Sequence, residues 1–182
     1  MPLINGLKTE QLQDIVETIK KNWVTGKTVW MASARWLDGF RVETESRGFK
    51  LQADEPDLLA GTNTGANPVE LVLQAYGACL AIGYAMNAAI RGIRIHDLRI
   101  EVEGEIDLPG FLGLEPPENV HMDRLPGFKK VIARVKMRAD TDGKTLKELH
   151  DYVVRTSPVG VTISRPVKIE TEFEAIEELS AA

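Results

Sequence analysis

The chain has 182 residues, 43 % hydrophobic and 27 % charged, with 22 Lys plus Arg against 27 Asp plus Glu for a net charge of −5. This is the composition of a globular protein, long enough to bury a core. The acidic balance argues against nucleic acid or an anionic membrane as partner, and a single cysteine leaves no internal disulfide.

The opening residues, MPLINGLKTEQLQDIVETIK, have no basic segment followed by an apolar one, so the cytoplasm is the expected compartment. Residues 9–23 read as an amphipathic helix, with Leu12, Ile15, Val16, Ile19 and Trp23 on one face. Residues 1–26 are taken as an N-terminal helical extension and 27–182 as a single domain. A β-rich section follows. Val29, Met31 and Ser33 alternate with Trp30, Ala32 and Ala34; Leu37-Asp38-Gly39 is a turn signal. Phe40, Val42 and Thr44 mark the returning strand, and Phe49–Ala53 a third. Residues 54–67, rich in Gly, Asn and Asp, read as a loop.

Asn67, Pro68 and Glu70 then spell a helix start: an N-cap, a first-position proline and the partner of a capping box. From Leu71 to Ile90 run twenty residues without a charge, a length that would cross a bilayer. Six alanines and two glycines give it the wrong weight for lipid, and it reads instead as a helix buried inside protein on nearly every side. A chain of this size rarely encloses such a helix alone, so a second subunit is expected to help cover it. Gly92 is a plausible stop.

Residues 97–106 alternate, with Leu98, Ile100 and Val102 opposing Arg99, Glu101, Glu103 and Glu105. Residues 107–128, with Pro109, Gly110, Gly113, Pro116 and Pro117, form a long excursion, either a lid or a plain surface loop. A second alternating strand carries Val131, Ala133, Val135 and Met137 against Ile132, Arg134, Lys136 and Arg138; its basic face suits antiparallel pairing with the acidic face of the first. A helix spans about 145–156, Pro158 discourages its continuation, and Val167, Ile169, Thr171 and Phe173 mark a last strand. The fold class is α+β.

Few residues offer chemistry. His96, His121 and His150 are widely spaced with no ligand pattern, read as surface or strand-end residues, and no metal or other cofactor is expected. GTNTGAN lacks the Gly-Lys-Ser/Thr ending of a P-loop and reads as a turn entering a helix. Cys79 is the remaining candidate, either inert packing or a reactive thiol. It lies eleven residues past Pro68, beyond the reach of the helix dipole, so activation requires a cation from elsewhere. Arg35, Arg41 and Arg47 are the nearest upstream choices.

The run NPVELVLQAYGACLAIGYAMNAAIRGIRI resembles the central helix of the OsmC/Ohr family of osmotically inducible and organic-hydroperoxide-resistance proteins. RWLDG, PGFKKVIARVKM and RTSPVGVTISRPVKIE agree with it, over about residues 28–173 and in the manner of the OsmC-like branch. The resemblance implies an OsmC-like fold, with antiparallel sheets around a long buried central helix, built as an intertwined homodimer. It implies thiol peroxidase chemistry, in which a cysteine on that helix, here Cys79, attacks an organic hydroperoxide and becomes a sulfenic acid. It also implies that Arg35, in Arg35-Trp36-Leu37-Asp38-Gly39, holds the thiolate and polarises the peroxide.

Two positions depart from the family pattern. Ser157 stands where the family has the second cysteine that closes a disulfide, so recycling would need an external thiol or dithiol reductant. Its hydroxyl is expected to bond a nearby carbonyl at a helix end. Val69 occupies the position of the family's helper carboxylate; Glu70, one residue on, points about 180° away from Cys79 around an ideal helix and suits a capping role. Ala75, Tyr76, Ile82 and Gly83, one turn from Cys79, suit an apolar substrate tail. Two functions stay open: a one-cysteine reductase of organic hydroperoxides, or a non-catalytic binding or redox-sensing protein holding an apolar ligand near the dimer interface.

Overall fold

The computed structural model describes residues 3–115, 118 and 126–175. In chain order these form helix α1 (Thr9–Lys21), strands β1 (Ser33–Asp38), β2 (Arg41–Ser46) and β3 (Phe49–Ala53), helix α2 (Pro68–Ile90), strand β4 (Ile95–Ile106), the short helix α3 (Leu108–Phe111), strand β5 (Phe128–Ala139), and helices α4 (Gly143–Thr156) and α5 (Pro158–Ser164). The class is α+β with two antiparallel sheets, β1-β2-β3 and β4-β5.

The first sheet is set by its turns. Gly39 adopts φ +48°, and Arg41 reaches back to Asp38 through Nε at 2.6 Å. Arg47 and Gly48 both have positive φ, +54° and +85°, the backbone a two-residue hairpin between right-twisted strands requires. β1 begins at Ser33 rather than near Val29. Residues 27–32 alternate as expected but carry no ladder, and Val29, Trp30 and Met31 are exposed. Leu37 and Asp38 extend the strand instead of turning it.

The loop into α2 is organised by Asp54, which is 1 % exposed. Its carboxylate accepts from the backbone N–H of Glu55, Thr62 and Thr64 and from both threonine hydroxyls, at 2.5 to 3.1 Å. The Thr62 hydroxyl leads the bonds that hold this carboxyl well below the ordinary carboxylate range, against the opposing push of burial. Gly61 lies so close to the turn that a Cβ there would meet the Glu55 carbonyl oxygen at 1.8 Å.

α2 opens with the capping box its sequence spells: Asn67 Oδ1 accepts from Glu70 N, and Glu70 Oε2 accepts from Asn67 N, both at 2.9 Å. Leu80, Tyr84 and Ala88 on one side of α2 form the core with Ile93, Leu149 and Val153, lying against the apolar faces of β4 and β5. Tyr84 Oη lies 2.5 Å from His150 Nδ1, and burial pushes the phenol up to about 12. His150 therefore packs between helices instead of marking a surface or strand end. His96 meets Asp140, and His121 lies outside the described residues.

The expected pairing of acidic and basic strands holds, with Glu101 opposite Arg134 and Glu105 opposite Lys130. Asp107 and Lys129, 2.8 Å apart, tie the two ends of the excursion together. Pro116, Pro117 and residues 119–125 of that excursion lie outside the described residues.

Within one chain α2 is buried on one side only: Ala75, Ala78, Ile82, Met86 and Ile90 are exposed, Ile82 at 69 %. One expectation, the last strand, needs correction. The segment carrying Val167, Ile169, Thr171 and Phe173 forms no strand, because alternation fixes a strand's two faces but supplies no neighbouring edge; Phe173 is 92 % exposed. The helix before Pro158 ends at Thr156, as expected, and a further helix follows that the sequence reading lacked. Pro158 occupies the first position of α5, where its missing N–H costs nothing.

Candidate functional site

α2 and α4 approach closely at Gly83, where a Cβ would sit 3.0 Å from Val153 Cγ1. Beside this contact lies a cleft of about 440 Å³, lined by α2 residues Ala75, Ala78, Cys79, Ile82, Gly83, Met86 and Asn87 and by Val153, Thr156, Ser157 and Pro158 at the α4–α5 junction. Of the four apolar neighbours expected around Cys79, Ala75, Ile82 and Gly83 line this cleft. Tyr76 faces elsewhere, into a separate hollow with Phe128, Lys130 and Gly160.

Cys79, half-buried and free, has its Sγ 3.2 Å from Ser157 Oγ. Ser157 is 3 % exposed. It is at once the last cap of α4 and the N-cap of α5, and its Oγ accepts from Gly160 N at 3.1 Å. The hydroxyl thus sits at a helix end as expected, but its partners are a backbone N–H and a sulfur, not a carbonyl. Gly160 is held to glycine by space: a Cβ there would lie 2.8 Å from the Tyr76 ring and 3.1 Å from Ser157 Oγ.

Among the described residues, no cation lines the cleft. Arg35 is on β1, its side chain 73 % exposed and 3.4 Å from Glu43. Arg41 pairs with Asp38, and Arg47 stacks over Trp30 and Phe49 at 5.8 and 5.6 Å. The structure therefore brings Ser157 to Cys79 and leaves Arg35 on the first sheet. Glu70 caps α2, and Val69 packs in a small hollow with Ile106, Leu108 and Phe111.

The arrangement offers one thiol with a hydroxyl neighbour at the wall of an apolar cleft. Asn87, Val153 and Thr156 were missed as lining residues. Asn87 lies two turns beyond Cys79 on the same helix, a spacing that could have found it, whereas the α4 residues meet α2 only through the tertiary fold.

The OsmC-like protein family profile matches residues 61–172, which include every residue of the cleft. No curated protein sequence matches the chain. Among solved structures, the chain is similar to an OsmC-like protein from Mycoplasma pneumoniae, with 18 % identity and a TM-score of 0.62 over 76 % of this chain and 89 % of that one. It is also similar to an organic hydroperoxide resistance protein OsmC from Legionella pneumophila, with 21 % identity and a TM-score of 0.54 over 75 % and 89 %. An OsmC-like protein of unknown function from Vibrio cholerae matches at 12 % identity and a TM-score of 0.59, over 75 % and 94 %. These likenesses concern the fold, and the profile match carries the assignment: the chain belongs to the OsmC-like protein family.

Proposed function

We propose that the protein is a cytoplasmic, homodimeric reductase of organic hydroperoxides that uses Cys79 as its one redox centre. The observation that carries this reading is the position of Cys79 on the wall of a cleft whose other lining is largely apolar, suited to a hydrocarbon tail. The Cys79 thiolate attacks the terminal oxygen of ROOH; the O–O bond breaks, an S–O bond forms, and the peroxide proton leaves with the alcohol ROH. Two equivalents of an external thiol, or one dithiol, then return the sulfenate to the thiol, releasing water and a disulfide. Arg35 is proposed to supply the missing cation from the second copy of the chain.

Rapid mixing of the reduced protein with an aryl or lipid hydroperoxide, read by intact mass and thiol count, tests the reading. The expected result is fast loss of the single thiol with a gain of one oxygen, abolished in Cys79→Ser. Reaction no faster than free cysteine would overturn it.

The serine beside Cys79, together with a cleft that carries no cation among the described residues, favours a second reading, an apolar-ligand or redox-sensing protein without turnover. In that case Cys79→Ser retains binding of a fluorescent fatty acid.

A further inference from the structure

We propose that Ser157 is a positioning residue for Cys79, its hydroxyl proton directed at the sulfur and stabilising the anion on it. This deepens the reading of the cleft given above and rests on it for the peroxide step alone. A serine oxygen carries two lone pairs and one proton. Gly160 N–H occupies one acceptor position at 3.1 Å, and Cys79 Sγ is the other neighbour at 3.2 Å. A thiolate has no proton to give, so once Cys79 ionises the hydroxyl becomes the donor across this contact. Water competes poorly for that proton, because Ser157 is 3 % exposed.

Within one chain, Ser157 is the polar group that the structure sets against the sulfur, and the proposed Arg35 of the partner subunit would add to it. Among the described residues no Lys, Arg or His lines the cleft, and the α2 N-terminus lies eleven residues back. A hydrogen bond to an ionised group is about twice as strong as one between neutral partners, and it favours the charged form. The same hydroxyl then faces the sulfenate formed when ROOH is reduced to ROH. Unlike a thiol, it cannot displace that oxygen to form a disulfide, so the oxidised protein waits for the external reductant. The helix start fixes the geometry: Ser157 as N-cap sets its side chain against Gly160 N, and the close packing of Gly160 on Tyr76 holds α5 in place.

The test is the pH profile of Cys79 alkylation by iodoacetamide in the full-length protein, compared with Ser157→Ala and Ser157→Thr. Alanine is expected to move the profile upward and to slow alkylation at neutral pH about tenfold, while threonine, which keeps the hydroxyl, restores it. A profile unchanged in the alanine variant, with only the melting temperature lowered, would mean that Ser157 is a helix cap alone and would overturn the proposal. Should alanine fail to fold, Ser157→Gly keeps a tolerated N-cap but brings neither a hydroxyl nor a charge; its profile must also move upward, and an unmoved one overturns the proposal equally. Because the assay contains no peroxide, the two readings separate. A Ser157-dependent profile in a protein inert to hydroperoxide leaves this inference standing and removes the reductase. Hydroperoxide reduction with a Ser157-independent profile does the reverse.

Discussion

Asp54 shows how a single buried carboxylate can organise a loop. Its five hydrogen bonds gather residues 54–64 into the approach to α2, and they require the ionised form because every one is accepted. Its folded pKa lies below its unfolded value, so its contribution is complete above the unfolded pKa, near 4, and drains away as pH falls toward the folded one. Asp54→Asn replaces an acceptor by an NH2 facing N–H and O–H donors. It is expected to lower the melting temperature by several degrees at neutral pH and to flatten the loss of stability between about pH 5 and pH 2, measured by thermal melts across that range. A variant as stable as the parent at pH 7 would contradict this. Asp54 was not legible in the sequence, since its partners come from a stretch that reads only as loop. Cys79 was legible by its place in the helix. Its neighbour Ser157, 78 residues away, reads locally only as a helix end, because no local pattern encodes a contact over that span; the family resemblance places it where a second cysteine meets the first.

At the level of elements, the legible parts are those whose signals are local. The Asn67–Glu70 capping box is written within four residues, and the β4–β5 ladder is written in alternation and charge. α5 escaped because proline carries two messages: it stops the helix before it and suits the first turn of the helix after it. The junction of α4 and α5 carries Ser157, so the core beneath α4 supports the site. Leu149, fully buried against Tyr84 and Leu80, is the anchor of α4. Leu149→Ala is expected to cost about 2–5 kcal/mol in urea unfolding. It should also loosen the approach of Ser157 to Cys79 and so slow alkylation of the thiol at neutral pH, in the same direction as Ser157→Ala. A cost below about 1 kcal/mol would show that α4 is held by other contacts.

For the whole molecule, the surface of one chain is unfinished in a consistent way. The exposed side of α2 presents Ala75, Ala78, Ile82, Met86 and Ile90, spaced so that they form one apolar stripe. Two extended segments with strand alternation, 27–32 and 165–175, have no ladder partner, and Trp30, Met31, Ile169 and Phe173 stand exposed on them. Soluble monomers rarely leave apolar surface this continuous, and an unpaired alternating segment is a template for another chain's edge. One chain covers α2 on one side only, because an apolar pattern specifies that a face must be buried without saying by which molecule. The proposed homodimer answers both deficits, and it makes stability depend on concentration. The melting temperature is therefore expected to rise with protein concentration across the micromolar range, and sedimentation should give twice the chain mass. Ile82, 69 % exposed at the middle of the stripe, is the test position. Ile82→Glu places a charge where the second copy would pack; it should yield a monomer whose melting temperature is lower and independent of concentration. A parent protein that sediments as a monomer at these concentrations, with a constant melting temperature, would instead leave the apolar stripe to a different partner. Arg35 would then have no route to Cys79.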